Sequence, residues 1–362
     1  MSTVLIAGGG TGGHLMPALA IASELRRQRP DLEPMIVGAV RGIERVLLPT
    51  RDFRYALLPA EPLYRRQWWK NWRWPFVAGG LLRSVGRLLD AERPVAVLGT
   101  GGYASAPVVY LAARRGIPTA IQEQNAIPGL ASKLLSSRVR HVYLGAPEAE
   151  RHLKTGRETE VFNTGNPISP PDQSRAASAR TRFGLSTDLP VVLITGGSQG
   201  AVAINEATAG WLSGDGGVGL QVLWATGKGS YSRFTSAHHP PGVQVFDFLD
   251  PIGDAFAVAD LVVSRAGMMT CAEICAWGLP SILIPLPTAA ADHQTGNARA
   301  LEASGAATVL LQRDLTADSL GSAISGLIGD PGRRAAMARA AQARGRPAAA
   351  SDIVSHLLTL LG

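Results

Sequence analysis

The stretch Val4-Leu5-Ile6-Ala7-Gly8-Gly9-Gly10-Thr11-Gly12-Gly13-His14 decides the fold of this chain. Four apolar residues run straight into a glycine-rich turn, and a segment with helical periodicity follows. Strand, tight turn and helix in that order open a Rossmann-type unit, whose bare backbone N–H groups face an anion at the helix N-terminus. The pattern recurs in the second half, where Val191-Val192-Leu193-Ile194-Thr195 runs into Gly196-Gly197-Ser198-Gln199-Gly200-Ala201. Two such units predict two nucleotide-fold domains facing a cleft, where a nucleotide-activated substrate meets an acceptor.

Bulk properties agree with a two-domain α/β chain. At 362 residues it exceeds the size at which one core splits. A composition 46% hydrophobic and 17% charged supplies buried parallel sheets. Cys271 and Cys275, the two cysteines, imply no disulfide framework; they share a helix face as small buried side chains, and two thiols make a poor zinc site. The first residues already form a core strand, so no secretory signal is expected, and no apolar run reaches the ~18 residues of a membrane span. The formal charge is +7 and the pI 9.8, but only Lys70, Lys133, Lys154 and Lys228 are lysines. An arginine bias of this kind follows coding composition as readily as function, so local clustering says more than the total.

In the first half, strands are read at 3–7, 34–37, 54–58, 94–98, 118–121, 140–143 and 160–163, with helices near 14–28, 43–49, 76–91, 104–114, 128–135 and 146–151. Such alternation predicts a parallel sheet with helices on both faces. Asn163 to Pro171, rich in Pro and Gly, reads as the linker. Strands resume at 191–195, 220–225, 243–246, 261–263, 281–284 and 307–310, with helices near 200–212, 253–258, 269–276, 294–304, 316–328 and 332–343. The expected domains are residues 1–165 and 166–362, the final apolar-faced segment Ile353–Leu361 docking on either one.

The first glycine turn is neither a clean dinucleotide fingerprint nor a Walker loop, which disfavours nicotinamide and ATP. His14 stands at a helix start, where the dipole disfavours its protonated form; a neutral imidazole suits a general base, and a turn-packing histidine is the plainer alternative. A third turn, Gly99-Thr100-Gly101-Gly102-Tyr103, and the polar run Gln122-Glu123-Gln124-Asn125 are expected at the same sheet edge as the first turn. In the second half Arg265-Ala266-Gly267-Met268-Met269-Thr270 feeds a helix whose N-terminus suits a diphosphate. Glu273, in its first turns, suits the paired hydroxyls of a ribose, or merely the helix dipole. Asp292-His293-Gln294-Thr295-Gly296-Asn297 opens another helix, with amides suited to sugar hydroxyls or with Asp292 as a cap. No Asp-x-Asp motif offers a metal clamp on a diphosphate, so no metal and no cofactor are expected, and helix N-termini would stabilise the leaving group.

From Leu63 to Phe76 the chain interleaves Trp68, Trp69, Trp72 and Trp74 with Arg65, Arg66, Lys70 and Arg73, and no acid occurs from Pro62 to Leu89. Indoles with cations suit an anionic membrane surface. Nucleic-acid stacking is the competitor, and interleaved arginine argues against a core cluster.

The motifs Gly9–His14 with Pro17, Gly101-Gly102-Tyr103, Glu123-Gln124-Asn125, Gly165-Asn166-Pro167, Gly196–Gly200, Gly267 to Pro280 and Asp292–Thr295 with Asn297 occur in one order over nearly the whole chain. Together they resemble the MurG family of bacterial peptidoglycan glycosyltransferases. The resemblance implies a GT-B fold and metal-independent, inverting transfer of N-acetylglucosamine from UDP-N-acetylglucosamine to lipid I, giving lipid II. It implies His14 as base, with Glu123 as the next carboxylate, and Thr11, Gly12, Gly13, Gly102, Tyr103 and Asn125 on the acceptor side. On the donor side it implies Ser198, Gln199, Gly200, Arg265, Gly267, Met268 and Thr270 around the diphosphate, Glu273 on ribose, backbone at Phe248 and Leu249 on uracil, and Gln294 and Asn297 on the sugar. It further implies a peripheral location on the cytoplasmic face of the plasma membrane, with the Trp/Arg segment as the docking region, cell-wall assembly proteins as partners and no nucleic acid.

Gln122 stands where the family commonly has His, Ser169 and Val202 where Arg is common, and Ala266 where Ser is frequent. The two missing arginines thin the phosphate recognition. The alternatives are a GT-B transferase with another lipid acceptor such as a diacylglycerol, a nucleotide-sugar epimerase, or an inert nucleotide-sugar-binding scaffold protein.

Overall fold

The computed structural model describes residues 1–10, 12–61, 74–197, 200–289 and 292–361. It divides into two units, Met1–Ile168 with Ala348–Gly362, and Ser169–Pro347. The division thus falls after Ile168, inside the linker segment, and not after Gly165. Residues 348–362 belong to the first unit instead of the second.

The first unit carries a seven-stranded sheet of β1 (Ser2–Ala7), β2 (Leu32–Ala39), β3 (Arg54–Leu58), β4 (Ala96–Gly99), β5 (Thr119–Glu123), β6 (His141–Leu144) and β7 (Glu160–Phe162). The strands run parallel in the order β3-β2-β1-β4-β5-β6-β7. Both faces are covered, which is why Val4–Ala7 of β1 is an unbroken apolar run. Leu5 and Ala7 join Val37, Val97, Ile121 and Val142 on one face; Val4 and Ile6 join Ile36, Leu98 and Tyr143 on the other. The first face is covered by α3 (Trp74–Glu92) through Leu81, Val85 and Leu89, and by α4 (Ser105–Arg114) through Val108 and Val109. The second is covered by α1 (Gly12–Gln28) and by α13 (Ala349–Thr359), whose Ile353, Val354 and Leu357 pack with Leu15, Ala18, Ala22 and Leu25 of α1. The two shorter helices are α2 (Glu44–Leu47), which passes into a 3-10 turn at Leu48–Thr50, and α5 (Leu130–Leu135). The helix expected at 146–151 is a 3-10 turn over Pro147–His152.

The second unit has six parallel strands, β8 (Val191–Thr195), β9 (Gln221–Ala225), β10 (Val243–Phe246), β11 (Leu261–Ser264), β12 (Ser281–Leu283) and β13 (Thr308–Val309), in the order β10-β9-β8-β11-β12-β13. Its core gathers Val192, Ile194, Val222, Trp224, Val263 and Ile282. An unexpected helix, α6 (Arg175–Phe183), precedes this sheet and ends on Gly184 at φ +59°. Only Ala179 and Phe183 of α6 are buried, so its apolar periodicity is faint in the sequence. Arg175 and Arg182 hold it to Asp254 on α8 (Ile252–Phe256), at 3.0 and 2.7 Å. The remaining helices are α7 (Val202–Leu212), α9 (Met268–Trp277), α10 (His293–Ala303), α11 (Ala317–Ile328) and α12 (Pro331–Arg344).

In each sheet the first strand lies between its second and fourth in chain order. Neighbouring crossovers leave in opposite directions there, and the diverging turns open a crevice at the strands' C-terminal ends. In the first unit those turns follow β1 and β4. In the second they follow β8 and β11. All four are the glycine-bearing segments of the sequence.

Candidate functional site

In the first unit the turns after β1 and β4 interlock. Gly102 has φ +83°, and a Cβ there would lie 1.9 Å from the Gly9 carbonyl oxygen. Gly10, at φ +96°, leaves room for the Tyr103 ring, which a Cβ would meet at 2.6 Å. Backbone bonds from Thr100 N to Ala7 O (2.8 Å) and from Gly9 N to Gly101 O (3.3 Å) join the two turns. Gly12 and Gly13 open α1, with His14 directly behind them.

His14 is half-buried. Its Nδ1 lies 3.2 Å from the Thr100 carbonyl oxygen and 3.2 Å from Gln124 Oε1. The Thr100 hydroxyl donates to the His14 carbonyl at 2.8 Å, so one residue holds both the backbone and the ring. Behind Gln124 lies a buried amide cluster. Gln124 Nε2 donates to Thr100 O (2.7 Å), to Gln122 O (3.3 Å) and to Gln122 Oε1. Gln122 Nε2 donates to Asn166 Oδ1 (2.9 Å), and Asn166 Nδ2 donates to Gln124 O (3.1 Å).

Glu123 is not part of this cluster. Successive residues of an extended strand face opposite sides, so Glu123 is turned away from Gln122 and Gln124. It is buried, one oxygen accepting from Asn125 N (2.9 Å) and Nδ2 (3.1 Å), the other from Gly129 N (3.0 Å) at the start of α5. The expectation of a reserve base is corrected on this point. The carboxylate braces Asn125 and the following loop, with both oxygens engaged.

In the second unit, Gly197 (φ +81°) and Gly200 (φ +72°) shape the turn after β8, and a Cβ on Gly200 would lie 2.2 Å from the Thr226 carbonyl oxygen. Gly267 is the N-cap of α9 and supplies no side-chain cap, and a helix N-terminus of this kind suits an anion. Met268 is buried and Thr270 half-buried in the first turn. Glu273 is half-buried on the same helix, and burial raises its carboxyl pKa to about 7. Cys271 and Cys275 are free, buried thiols; burial pushes both pKa values up, that of Cys275 to about 11.

Arg265 and Asn297 support this turn from within. Arg265 is buried, which lowers its pKa, and Nη1 donates to the carbonyls of Ile284 (3.1 Å) and Pro285 (3.3 Å). Asn297 is 0% exposed and its Nδ2 donates to Ala266 O (3.1 Å). Both were expected to touch the donor; the structure turns them inward, because the carbonyls of the irregular loops need donors. Gln294 Oε1 accepts from Leu286 N at 2.9 Å. Asp292, at the N-cap with φ +53°, accepts from the Thr295 hydroxyl (2.7 Å) and from no helix N–H. Phe248 is exposed and Leu249 buried in the segment after β10.

Thr11, Ser198, Gln199 and Arg65, Arg66, Trp68, Trp69, Lys70, Trp72 and Arg73 lie outside the described residues, and Trp74 is the first residue of α3. The sequence gives no individual role to Thr100, Asn166 or Glu44, and it marks Gln122 and Gln124 only as members of a polar run at the sheet edge. For the two glutamines the signal was present, since their alternation with Glu123 sorts the polar run into two faces.

Residues 4–144 match the N-terminal domain, and residues 191–353 the C-terminal domain, of glycosyltransferase family 28. The chain belongs to glycosyltransferase family 28. It is 40% identical over 365 residues to a protein of Desulfitobacterium hafniense, covering 98% of each chain, and 40% identical over 370 residues to one of Salinibacter ruber, covering 99% of this chain and 96% of that one. Both are named UDP-N-acetylglucosamine--N-acetylmuramyl-(pentapeptide) pyrophosphoryl-undecaprenol N-acetylglucosamine transferase. The crystal structure of Acinetobacter baumannii MurG superposes with a TM-score of 0.79 at 26% identity over 99% of both chains. The two parallel-sheet, Rossmann-like domains of this family 28 member are those of the GT-B fold.

Proposed function

We propose that this chain transfers N-acetylglucosamine from UDP-N-acetylglucosamine to the muramyl sugar of undecaprenyl-diphosphate-linked muramyl pentapeptide, the step that turns lipid I into lipid II in peptidoglycan synthesis. The observation that carries the reading is the full-length relationship to transferases of that name, at 40% identity across both units. Supporting it are glycine turns at both sheet switch points, with His14 beside one and Glu273 beside the other.

The chemistry is a single displacement with inversion. The muramyl 4-hydroxyl oxygen attacks the anomeric carbon of the donor sugar. The bond from that carbon to the diphosphate oxygen breaks, and UDP leaves with the electron pair. The hydroxyl proton passes to His14 Nε2, the ring nitrogen not turned toward Thr100 and Gln124. Thr11, Gly12, Gly13, Gly102, Tyr103 and Asn125 receive the acceptor and its diphosphate. The open N-terminus of α9 at Gly267, Met268 and Thr270, with Gly200, Ser198 and Gln199, stabilises the departing diphosphate. Glu273 accepts from the ribose hydroxyls. Backbone at Phe248 and Leu249 meets uracil, and Gln294 Nε2 meets the sugar. Arg265 and Asn297 act through the turn they hold.

The same reading places the protein peripherally on the cytoplasmic face of the plasma membrane, docked by the Trp/Arg segment. No described helix is long and apolar enough to cross a membrane, and the outer face of α3 carries exposed Leu82, Arg83 and Arg87. Cell-wall assembly proteins are its proposed partners.

The test is incubation with labelled UDP-N-acetylglucosamine and a lipid I analogue, with wild type and His14→Ala. Wild type forms the disaccharide product with or without chelator. His14→Ala loses about 10²–10⁴-fold in turnover while binding UDP-N-acetylglucosamine as before. Near wild-type turnover by the variant at saturating acceptor removes His14 as the base, and no transfer by wild type overturns the function.

A further inference from the structure

We propose that Gln124 is a positioning residue that holds His14 in the tautomer protonated on Nδ1, so that the lone pair of the neutral ring sits on Nε2. The inference rests on the reading of His14 as the base, and it deepens that reading by naming what selects the active form of the ring.

Hydrogen-bond polarity fixes the ring's tautomer. An amide side chain has one donating and one accepting end, and which is which follows from its neighbours. The Nε2 end of Gln124 meets three oxygens, Thr100 O at 2.7 Å, Gln122 O at 3.3 Å and Gln122 Oε1. Only an NH2 group satisfies them, so the other end, facing His14, is the carbonyl oxygen. Gln122 is fixed in turn. Its Oε1 accepts from Gln124, and its Nε2 donates to Asn166 Oδ1 at 2.9 Å. Asn166 closes the ring by donating from Nδ2 to the Gln124 backbone carbonyl at 3.1 Å. Reversing Gln122 or Asn166 sets donor against donor at one end and oxygen against oxygen at the other, and reversing Gln124 sets its oxygen against those of Thr100 and Gln122. All three side chains are at most 3% exposed, so water does not relieve such a mismatch.

Both oxygens near His14 Nδ1, those of Gln124 and Thr100 at 3.2 Å, are therefore acceptors. An unprotonated Nδ1 would face two lone-pair donors across hydrogen-bond distance. The ring carries its proton there, the reverse of the tautomer that free histidine prefers in water. The two acceptors also suit the imidazolium formed when Nε2 takes the acceptor's proton, because Nδ1–H keeps its bonds through the step. The approach is built in at the backbone. Gly101 has φ +93°, and a Cβ there would lie 2.7 Å from Nδ1; a Cβ on Gly145 would lie 2.4 Å from the Asn166 amide. No member of the amide ring titrates, so its polarity persists across the working pH range. Glu123, the carboxylate next to Gln124 in the chain, does not take this place: its oxygens are turned to Asn125 and Gly129.

The test is nitrogen NMR of the full chain labelled with ¹⁵N-histidine, with His14→Ala identifying the His14 signals, run on wild type and Gln124→Met, which keeps length and removes both amide ends. Wild type at a pH where His14 is neutral shows a protonated Nδ1 and an unprotonated Nε2. Gln124→Met shows a mixture of tautomers, and its kcat falls by about 3–10-fold, the worth of one hydrogen bond, with the KM for UDP-N-acetylglucosamine unchanged. A wild-type spectrum with the proton on Nε2 overturns the inference whatever the variant does, including failure to fold. A variant that keeps the pure Nδ1–H tautomer overturns the role of Gln124. The failure of His14 as base is read separately, from His14→Ala turnover, and leaves the tautomer result standing.

Discussion

Glu44 lies wholly buried beneath the first glycine turn, and its Oε1 accepts a hydrogen bond from the backbone N–H of Gly10. Its Oε2 has no hydrogen-bond partner among the described residues. Three glycines make the space: a Cβ on Gly9, Gly38 or Gly42 would come within 1.9, 2.6 or 1.5 Å of this side chain. Burial raises the carboxyl pKa, and the bonds from backbone N–H groups oppose that only in part.

A carboxyl whose pKa is raised on folding stabilises the fold fully below its unfolded value, and that stability is lost as pH rises through the folded value. Glu44→Gln keeps an acceptor for Gly10 and removes the charge. Its unfolding free energy is expected to match wild type near pH 4 and to exceed it at pH 8. Glu44→Ala leaves Gly10 N–H without its partner and falls below wild type by about 1–3 kcal/mol. Denaturant titrations at both pH values check this; a wild-type advantage over Glu44→Gln at pH 8 contradicts it.

Gly102→Ala tests the interlocked turns. The left-handed backbone costs a side chain about 1–2 kcal/mol, and a Cβ 1.9 Å from the Gly9 carbonyl forces the turns apart. Acceptor-dependent turnover is expected to drop sharply with UDP-N-acetylglucosamine affinity retained, read by product formation and calorimetry. Wild-type turnover would mean that the packing of the two turns is irrelevant to the site.

Glu273 ties donor binding to pH. With its pKa near 7, it gains charge between pH 6 and pH 8, and the charged form is the better acceptor for two ribose hydroxyls. Donor affinity is expected to rise over that interval in wild type and to stay flat in Glu273→Gln. Glu273→Ala loses about 1.5–3 kcal/mol of donor binding. Calorimetry across the pH series decides, and a flat wild-type profile removes Glu273 from the ribose.

Ile353→Ala probes the docking of α13 on α1. The residue is fully buried against α1 and the sheet, so the cavity costs about 2–5 kcal/mol. A loss under 1 kcal/mol in denaturant unfolding would show that the helix is peripheral to the first unit.

Membrane docking is checked by vesicle sedimentation. Binding to anionic vesicles is expected to weaken with added salt and again when Arg65, Arg66, Lys70 and Arg73 become Ser. Equal binding to neutral and anionic vesicles removes the electrostatic component.

The sequence by itself determined the strands and the turns. Val4–Ala7 and Val191–Ile194 are apolar on both faces, a pattern that suits a covered parallel strand once a turn follows within a few residues, and the glycines after them mark where backbone bends sharply. These are local signals, written in a few adjacent residues. Helix α6 escaped because two buried residues among many arginines leave little periodicity, and its hold on Asp254 spans distant sequence. The 348–362 segment showed an apolar face and not its destination, since α1 is remote along the chain. The candidate site divides the same way. His14 and Glu273 stand out in the sequence as candidates from their place beside glycine turns. Only the tertiary structure decided that Glu123 braces a loop, that Arg265 and Asn297 face inward, and that Gln124, Gln122 and Asn166 form one ring behind His14. Hydrogen-bond polarity is a property of the partners a group meets after folding, and β5, the turn after β4 and the linker supply those partners from three separate parts of the chain.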